Sequence, residues 1–272
     1  MKIVHLTDPH IIGAVRANLF GLNPTDRLKK AIKSINRDHS DAKFIAITGD
    51  LADNATKKAY KNYKNIIESS KIPIYSILGN HDNREFFKEV FTEFKDNDFI
   101  QFDVVIKDYA FLFLDTLDRG NMHGVLCSKR YEWLKDKLKK YKKHNVYIFM
   151  HHHPIECGLY EFDTTARFKN KSKFWKTLGK YKNIRHISFG HLHRIMTATR
   201  DGVSMHCTRS TAFQVALSMR VKAECLTNKE KPTYAIMDIN KNNFRIHHHE
   251  FLDENKIYEC EGRWNQITFS EK

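Results

Sequence analysis

Residues 2–10, Lys-Ile-Val-His-Leu-Thr-Asp-Pro-His, join a hydrophobic strand-like run to polar residues at its end, and four later segments repeat this plan. Side chains that follow the carboxyl ends of parallel strands meet at one edge of an open α/β sheet, so we expect the five polar segments to converge. The predicted strands are Lys2–Thr7, Phe44–Thr48, Ile74–Leu78, Val146–Met150 and Ile184–Phe189. The polar segments are Asp8-Pro9-His10, Gly49-Asp50, Gly79-Asn80-His81-Asp82, His151-His152-His153 and Gly190-His191-Leu192-His193.

The spacing between these strands predicts an α/β fold. Helical patterns separate the first three strands, which gives a βαβαβ unit with parallel strands. Further strands, including a C-terminal hairpin across residues 240–243, predict a second and more antiparallel sheet. We therefore predict one domain, residues 1–272, built from two packed mixed β-sheets flanked by helices. Residues 216–272 are expected to extend the second sheet or to form an oligomer contact.

Composition narrows the class of protein. The 272 residues carry 46 Lys and Arg against 32 Asp and Glu, a net charge of +14, which suits anionic substrates or, alternatively, a lysine-rich proteome. The five cysteines form no Cys-x-x-Cys pair, and no apolar run approaches the ~20 residues that span a bilayer. Strand-like sequence from Lys2 leaves no room for a secretion signal. We expect a reduced, cytoplasmic protein with no membrane partner.

The polar segments supply the donor types of a metal centre. Hydrolysis of a phosphate ester needs an activated water and neutralised phosphoryl oxygens, and two divalent metals ~3.5–4 Å apart provide both. A mixture of imidazole and carboxylate with one shared carboxylate would hold them. Such donors suit Fe, Mn, Zn or Co, whereas a cage of oxygens alone would suit Mg or Ca.

Together these motifs resemble the calcineurin-like metallophosphoesterase superfamily, and within it the cyclic-nucleotide phosphodiesterase and glycerophosphodiesterase branch. The run Phe149-Met150-His151-His152-His153-Pro154 and the segment Asn121-Met122-His123-Gly124 extend the resemblance. It covers about residues 1–215. The resemblance implies a metal-dependent phosphoric diester hydrolase with two metal ions.

The resemblance also implies a role for each matching residue. His81 would act as a general acid that protonates the leaving alkoxide, after a metal-bound hydroxide attacks phosphorus. Asp50 would bridge the two ions. One metal would lie on Asp8, His10, Asp50 and His193, and the other on Asp50, Asn80, His151 and His191.

The histidine-rich segments require choices. His151 follows the last apolar residue of its strand and is the preferred ligand, with His152 as second candidate and as a residue supporting the ligands. His153 is expected to cap or to face solvent. The run His247-His248-His249 is interpreted as alternating surface and packing residues, and His5 as a hydrogen-bonded core histidine.

Four residues are weaker candidates. Asp53 would accept a proton from a ligand imidazole, or would instead cap a helix. His123 would reach the substrate, or would form a structural turn. Arg84 would contact phosphate, or would be an exposed arginine at a helix start. Gln214, with the segment 208–214 that it ends, would line the mouth of the pocket.

The sequence leaves three substrate classes open. Small-molecule 3′,5′-cyclic nucleotides, cAMP first, would be hydrolysed to 5′-monophosphates. Glycerophosphodiesters, with a broad pocket that tolerates monoesters, are the second class. Nucleic acid is the third and is disfavoured, because no added basic and aromatic groove is present. A homo-oligomer remains open.

Overall fold

The computed structural model of the protein describes residues 1–14, 18–219, 225–241 and 243–252. Within these ranges the α-helices are α1 (Pro24–Asp38), α2 (Lys57–Ile67), α3 (Arg84–Val90), α4 (Ser128–Lys140), α5 (Tyr160–Thr164) and α6 (Lys171–Leu178). The strands are β1 (Lys2–Leu6), β2 (Ile45–Thr48), β3 (Ile74–Ile77), β4 (Phe102–Ile106), β5 (Tyr109–Phe113), β6 (Asn145–Phe149), β7 (Ile184–Phe189), β8 (Met196–Arg200), β9 (Val203–Cys207), β10 (Gln214–Val215), β11 (Thr227–Asn228), β12 (Thr233–Ile239) and β13 (Phe244–Glu250).

Two large mixed sheets form the fold. The first has the order β13-β12-β1-β2-β3, with β1, β2 and β3 parallel. The second has the order β4-β5-β6-β7-β9-β8, with a parallel centre and antiparallel edge strands β4 and β8. The predicted α/β fold of two packed mixed sheets flanked by helices is confirmed.

The C-terminal hairpin corrects one prediction. β12 pairs antiparallel with β1, from Lys2 opposite Asp238 to His5 opposite Ala235, and β13 adds outside β12. The hairpin therefore extends the first sheet, and the expected extension of the second sheet is wrong. The second sheet is also mainly parallel, because its antiparallel pairs lie only at its edges. Residues 253–272 lie outside the described residues.

Local sequence explains where the first helices begin. Asn23 accepts a hydrogen bond from the amide of Asp26 and Pro24 occupies the first turn of α1, where a missing N–H costs nothing. The buried face of α1 includes Leu28, Ile32 and Ile35. α2 begins after Thr56, whose hydroxyl accepts from the amide of Ala59. The periodicity of both helices packs them onto the first sheet.

Buried apolar residues form three separate clusters. One lies between the first sheet and helices α1–α3 and includes Leu28, Tyr60 and Phe87. A second lies between the other sheet and helices α4–α6. The third lies between the two sheets and stacks aromatic rings such as Phe113 and Phe149, 4.8 Å apart. The architecture is therefore a four-layer sandwich, helices–sheet–sheet–helices.

A row of buried histidines also lies between the sheets. His5 Nδ1 is 2.9 Å from His206 Nε2, and His206 Nδ1 is 2.7 Å from His186 Nε2. His186 Nδ1 is 2.7 Å from the hydroxyl of Ser204. At the other end, His5 Nε2 is 2.8 Å from the hydroxyl of Thr48. We call His5, His206 and His186 the interior histidine chain, and it confirms the prediction that His5 is a hydrogen-bonded core residue.

The chain of hydrogen bonds continues to Asp8. The hydroxyl of Thr48 donates to that of Thr7 at 2.8 Å, and the hydroxyl of Thr7 donates to Asp8 Oδ2 at 2.5 Å. An ionised carboxylate only accepts, so every donor along this series points toward Asp8. Each interior histidine is thereby neutral and restricted to one tautomer.

Among the helices that the structure describes, none combines the length and the apolar character required to cross a membrane.

Candidate metal centre

The predicted convergence occurs at the carboxyl ends of strands from both sheets. Four residues form one group, whose potential ligand atoms all lie within 4.8 Å of one another. His193 Nε2 is 3.2 Å from Asp8 Oδ1, and His10 Nε2 is 3.6 Å from Asp50 Oδ2. All four side chains are buried. The group consists of Asp8, His10, Asp50 and His193.

A second group lies on the other side of Asp50. His151 Nε2 is 3.4 Å from Asp50 Oδ1 and 3.0 Å from Asn80 Oδ1. The ring of His191 is centred 4.9 Å from that of His151. The two oxygens of Asp50 therefore face different groups, as a bridging carboxylate requires.

Backbone carbonyls set the tautomers of the histidines. His151 Nδ1 donates to the carbonyl of Thr48 at 2.8 Å, and His193 Nδ1 donates to that of Phe213 at 2.8 Å. His191 uses Nε2 instead, donating to the carbonyl of Ala166 at 2.8 Å. In a neutral imidazole the remaining nitrogen carries a lone pair. Nε2 of His151 and His193 and Nδ1 of His191 are therefore the nitrogens available to a metal.

His10 follows the same rule with a carboxylate. Its Nδ1 lies 3.1 Å from Asp53 Oδ1, which leaves a lone pair on Nε2. That Nε2 is 3.1 Å from Nε2 of His193. Two lone pairs that face each other at this distance repel unless a cation lies between them. The contact of His151 Nε2 with Asn80 Oδ1 has the same character, so both groups fit divalent metal ions.

The pKa shifts of the clustered residues also indicate a site that favours positive charge. Burial alone would lower the pKa of His151, but the carboxylates of Asp50 and Asp8 raise it to about 9. Burial alone would raise the pKa of Asp50, but the imidazoles of His151 and His81 hold it well below its usual range. The cluster stabilises positive charge between its carboxylates, and a bound metal supplies such charge without a proton.

The backbone at the centre is strained. Asp8, His10, Asp50, His191 and His193 all have positive φ, between 45° and 72°. Non-glycine residues seldom adopt this left-handed conformation, and such strain clusters at functional sites.

Glycines beside these residues provide space. A Cβ on Gly49 would strike the ring of His151, one on Gly79 would strike Asp50 Oδ1, and one on Gly190 would strike the hydroxyl of Thr7. Of the three, only Gly49 has positive φ, at 89°. The glycine of the Gly79-Asn80 motif is thus needed for close approach and not for an unusual backbone angle.

Comparison with known protein families identifies the family of this chain. The profile of the calcineurin-like phosphoesterase family matches residues 1–194, which is more than half of the chain. The chain belongs to this family. Our assignment to the metal-dependent phosphoric diester hydrolases is thereby confirmed.

Curated relatives of this phosphoesterase include two substrate classes. A probable cyclic nucleotide phosphodiesterase of Rhodopseudomonas palustris is 31% identical over 263 residues, covering 95% of each chain. A probable glycerophosphodiester phosphodiesterase of Arcobacter nitrofigilis is 29% identical over 238 residues, covering 86% of each. A solved dimetal phosphatase from Danio rerio superposes with a TM-score of 0.70 at 12% identity, covering 93% of this chain and 96% of that one. At that identity, the last comparison shows the fold alone.

His81 lies beside both groups of this phosphoesterase. Its amide donates to Asp50 Oδ1 at 2.9 Å, and its Nδ1 donates to the carbonyl of Asp53 at 2.8 Å. Its ring is centred 4.8 Å from that of His10, and its side chain is 34% exposed. Burial would lower its pKa, but the charge of Asp50 and the carbonyl of Asp53 together raise it. Nε2 is therefore the position of its exchangeable proton.

Asp53 orients two histidines of the site through hydrogen bonds. Its carboxylate accepts from His10 and its carbonyl from His81, so one residue orients two imidazoles. The expected acceptor role is present in the structure. The alternative, a helix cap, is wrong, because Thr56 caps α2.

Two histidines of the triple run serve differently. His152 Nε2 donates to the carbonyl of Met122 at 3.2 Å, so its Nδ1 lone pair receives the hydroxyl of Thr116 at 2.8 Å. With both nitrogens occupied, His152 supports the loop near residue 122, and the geometry favours His151 as the ligand. His153 is fully buried. The expectation that it caps or faces solvent is wrong, because the chain turns back over it through α5.

The weaker substrate candidates are placed as follows. Arg84 makes two hydrogen bonds of 2.6 Å to the buried carboxylate of Asp115, so its guanidinium is neither exposed nor free for phosphate. Gln214 is fully buried, so it does not line the mouth of a pocket. His123 Nε2 lies 2.8 Å from Asp118 Oδ2, in the same loop as Met122. Met122 Sδ in turn accepts from the side-chain Nδ2 of Asn80 at 3.4 Å.

The run at the C-terminus stays apart from the metal centre. In β13 His247 is exposed, whereas His248 is half-buried, with Nδ1 3.2 Å from the hydroxyl of Thr208. The predicted alternation holds from His247 to His248 only, because His249 is also half-buried, with its ring centred 5.0 Å from that of Tyr234.

Sequence reasoning missed Asp82 and Phe213. Asp82 accepts hydrogen bonds from the amides of Leu51, Ala52 and Gly79, which holds the loops after β2 and β3 together. Burial and the charge of Asp50 raise its pKa to about 7. Its place in the Gly-Asn-His-Asp motif was the signal. Phe213 lies in the segment 208–214 that was expected at the mouth of the pocket, but its contacts with His10 and His193 had no signal of their own.

Proposed function

We propose that this protein hydrolyses small phosphodiesters at a dinuclear metal centre, and that 3′,5′-cyclic nucleotides, cAMP first, are its substrates. The observation that carries the metal centre is the placement of the imidazole lone pairs: those of His10 and His151 face the two oxygens of Asp50, and that of His193 faces His10. Single tautomers of the four histidines leave those lone pairs no hydrogen to accept, so cations are their natural partners.

Each group would hold one ion, with Asp50 between them. Bound metals of this kind acidify a water and neutralise charge on the phosphoryl oxygens. The mixed nitrogen and oxygen donors suit Fe, Mn, Zn or Co. The first ion would lie on Asp8, His10, Asp50 and His193, and the second on Asp50, Asn80, His151 and His191.

His81 would handle the proton of the leaving group. Its Nδ1 is held by the carbonyl of Asp53, so Nε2 carries the proton that can move. The raised pKa keeps a larger protonated fraction near neutral pH than an ordinary histidine has. The proton would pass from Nε2 to the 3′-oxygen as its bond to phosphorus breaks, leaving a 5′-monophosphate.

Apolar side chains beside the centre favour a nucleoside substituent. The ring of Phe213 is centred 4.6 Å from that of His193 and 5.0 Å from that of His10. Phe20 lies against Phe213 at 4.9 Å and is 55% exposed, so an aromatic face borders the first group. A purine base can stack there, whereas a glycerol headgroup gains little from such a face.

Glycerophosphodiesters are the second candidate. The relative from Arcobacter nitrofigilis that carries that name supports it. Nucleic acid ranks lower despite the charge of +14. The four cysteines among the described residues, Cys127, Cys157, Cys207 and Cys225, are free thiols, which fits a reducing compartment and our proposal of the cytoplasm.

A turnover panel tests the substrate. Protein reconstituted with Mn is assayed on cAMP, cGMP, glycerophosphoethanolamine, bis-p-nitrophenyl phosphate and single-stranded DNA. Phe20→Ala should raise KM for cAMP and leave KM for glycerophosphoethanolamine unchanged. The exposed Val105→Ala on edge strand β4 is the control. Preference for the glycerol diester, with no effect of Phe20→Ala on cAMP, would exclude the cyclic-nucleotide proposal.

A further inference from the structure

A cluster of side chains with potential metal-ligand atoms lies outside the proposed dinuclear centre. After β6 the chain passes through His153 and Cys157 and then enters α5, which carries Asp163. Ligand atoms of these three residues all lie within 4.8 Å of one another. His153 Nε2 and Cys157 Sγ are each 3.5 Å from the same oxygen, Asp163 Oδ1. We call these three residues the His-Cys-Asp cluster.

His153 is the unusual member of the cluster. Its side chain is fully buried, and neither ring nitrogen makes a well-formed hydrogen bond in the part of the chain that the structure describes. The contact of Nε2 with Asp163 Oδ1, at 3.5 Å, is long for a hydrogen bond. A buried polar group without a partner destabilises the folded protein. Such a group calls for a specific explanation, and a bound ion is one. Nε2 is directed toward Asp163, so an ion on Nε2 would also meet the carboxylate.

The spacings match tetrahedral coordination. Zinc bonds of about 2.0–2.2 Å to nitrogen and oxygen and about 2.3 Å to sulfur place N and O about 3.4 Å apart and S and O about 3.6 Å apart. The two observed contacts to Asp163 Oδ1, both 3.5 Å, agree with these values. We propose that His153, Cys157 and Asp163 form a mononuclear site for zinc, separate from the dinuclear centre.

The hydrogen bonds that Asp163 accepts leave one lone pair of its carboxylate for this ion. Oδ2 accepts from the amide of Gly158 at 2.8 Å, and Oδ1 accepts from the amide of Cys157 at 2.9 Å. Oδ1 keeps one further lone pair. Lys171 Nζ, 4.0 Å away, is beyond hydrogen-bond distance and does not occupy it. The thiol of Cys157 would release its proton to solvent, so thiolate and carboxylate together balance the charge of a divalent ion.

The position of the site indicates its role. The segment between His153 and Ala166 covers His191, whose Nε2 donates to the carbonyl of Ala166. The ring of Phe162 is centred 5.1 Å from that of His191. An ion on the His-Cys-Asp cluster would cross-link this segment at both ends and hold Ala166 in place. The site would therefore support a ligand of the dinuclear centre without contacting substrate.

Cobalt substitution tests the site independently of activity. A sulfur-to-cobalt charge-transfer band requires a thiolate ligand, and the dinuclear centre contains no cysteine. Metal-free full-length protein titrated with Co(II) should show this band. Cys157→Ser should lose the band and bind one equivalent less, while Cys127→Ser and Cys225→Ser should keep both. His153→Gln should weaken cobalt binding at this site with the fold intact by circular dichroism.

The dinuclear proposal can fail separately. Asp50→Asn should reduce cobalt binding at the dinuclear centre and leave the sulfur band unchanged. If folded wild-type protein shows no band at saturating Co(II), or if the band persists in Cys157→Ser, the His-Cys-Asp site is excluded. Neither result would bear on the phosphodiesterase proposal, since that centre uses only nitrogen and oxygen donors.

Discussion

The four histidines proposed as metal ligands and the three of the interior histidine chain are equally buried, yet they differ in their second nitrogen. In each proposed ligand a carbonyl or carboxylate fixes one nitrogen. In His10, His151 and His193 the other nitrogen faces an atom that can only accept. In the interior chain, His206 uses both nitrogens on neighbouring imidazoles. Burial therefore does not distinguish a ligand from a structural histidine, whereas the partner of the second nitrogen does.

His153 belongs to neither class. It is as buried as the others, but neither of its nitrogens is bonded within the described residues. In the other histidines, the partner of the second ring nitrogen distinguishes a ligand from a structural residue. His153 has no such partner, so a ring nitrogen is available to an ion and no backbone carbonyl orients the ring. This difference is why the His-Cys-Asp cluster, rather than the interior chain, carries the proposal of a further metal site.

The largest effect is expected from the variant that removes the carboxylate between the two groups of proposed ligands. Asp50→Asn should reduce turnover to background, because one amide oxygen cannot bridge two cations and no longer balances their charge. Metal content by mass spectrometry should fall with it, while the free energy of unfolding of the metal-free protein changes little. Retained turnover in this variant would contradict the dinuclear mechanism.

His81→Ala tests the residue beside the ligands. We expect kcat to fall by ~10²–10⁴-fold, the usual contribution of a positioned acid, with metal content unchanged. A leaving group that needs no proton, such as p-nitrophenolate, should be much less affected than cAMP. Loss of metal in this variant would instead make His81 a ligand or a support.

Substitution in the interior histidine chain should lower stability and leave turnover nearly unchanged, the reverse of what is expected at the metal centre. His206→Leu leaves His5 Nδ1 and His186 Nε2 without partners, and each buried unpaired group costs about 1–3 kcal/mol. Urea unfolding should report this loss, and kcat of the protein that remains folded should stay near the wild-type value. Core substitution Leu134→Ala serves as a control for packing loss alone. A large fall in kcat would mean that the chain acts on Asp8 through Thr7.

Acid should weaken the interior chain. Burial lowers the pKa of His5 to about 3 and that of His206 well below its usual range. Below pH 6.5 the unfolded chain takes up these protons and the folded chain does not. Stability therefore falls as pH decreases from 6.5 toward 3, by up to about 1.4 kcal/mol per pH unit for each such histidine. Metal-free wild type should show a steeper dependence than His206→Leu; equal slopes would contradict this.

Asp53→Ala is the smallest expected effect on the metal centre. Loss of the carboxylate behind His10 should lower metal affinity or activity by about 10–100-fold, as removal of such an orienting partner usually does. Titration with Mn while activity is monitored measures the change. The exposed Asp201→Ala, in the turn between β8 and β9, is the control. No change would show that the carbonyl of Asp53, which remains, orients the imidazoles alone.

Much of this picture could be predicted from local patterns. The strand Ile184–Phe189 was predicted with its observed bounds, and the polar residues after each strand indicated one convergent edge. These predictions succeed because strand periodicity and position after a strand are local properties. The strands Phe102–Ile106 and Met196–Arg200 were missed, since their partly exposed edge positions lack a continuous apolar run.

Other features depend on contacts between distant segments. The C-terminal hairpin pairs with β1, more than 230 residues away along the chain, and nothing within the hairpin specifies that partner. Arg84 and Gln214 are polar residues that the sequence places at a helix start and near a pocket. In the structure Arg84 is hydrogen-bonded to Asp115 and Gln214 is buried, and both outcomes depend on distant segments.

Donor types and their order along the chain thus indicated a metal centre at the strand ends, because ligand chemistry depends on residue type and position. The resemblance of these motifs to the phosphoesterase family implied the class and the seven candidate ligands. Tertiary packing decided which nitrogen of each imidazole is free, which histidine of the triple run faces Asp50, and that His153 meets Cys157 and Asp163. The physical reason is that a tautomer is set by the hydrogen bond behind it, and for His151 that partner, the carbonyl of Thr48, lies about a hundred residues away in another sheet.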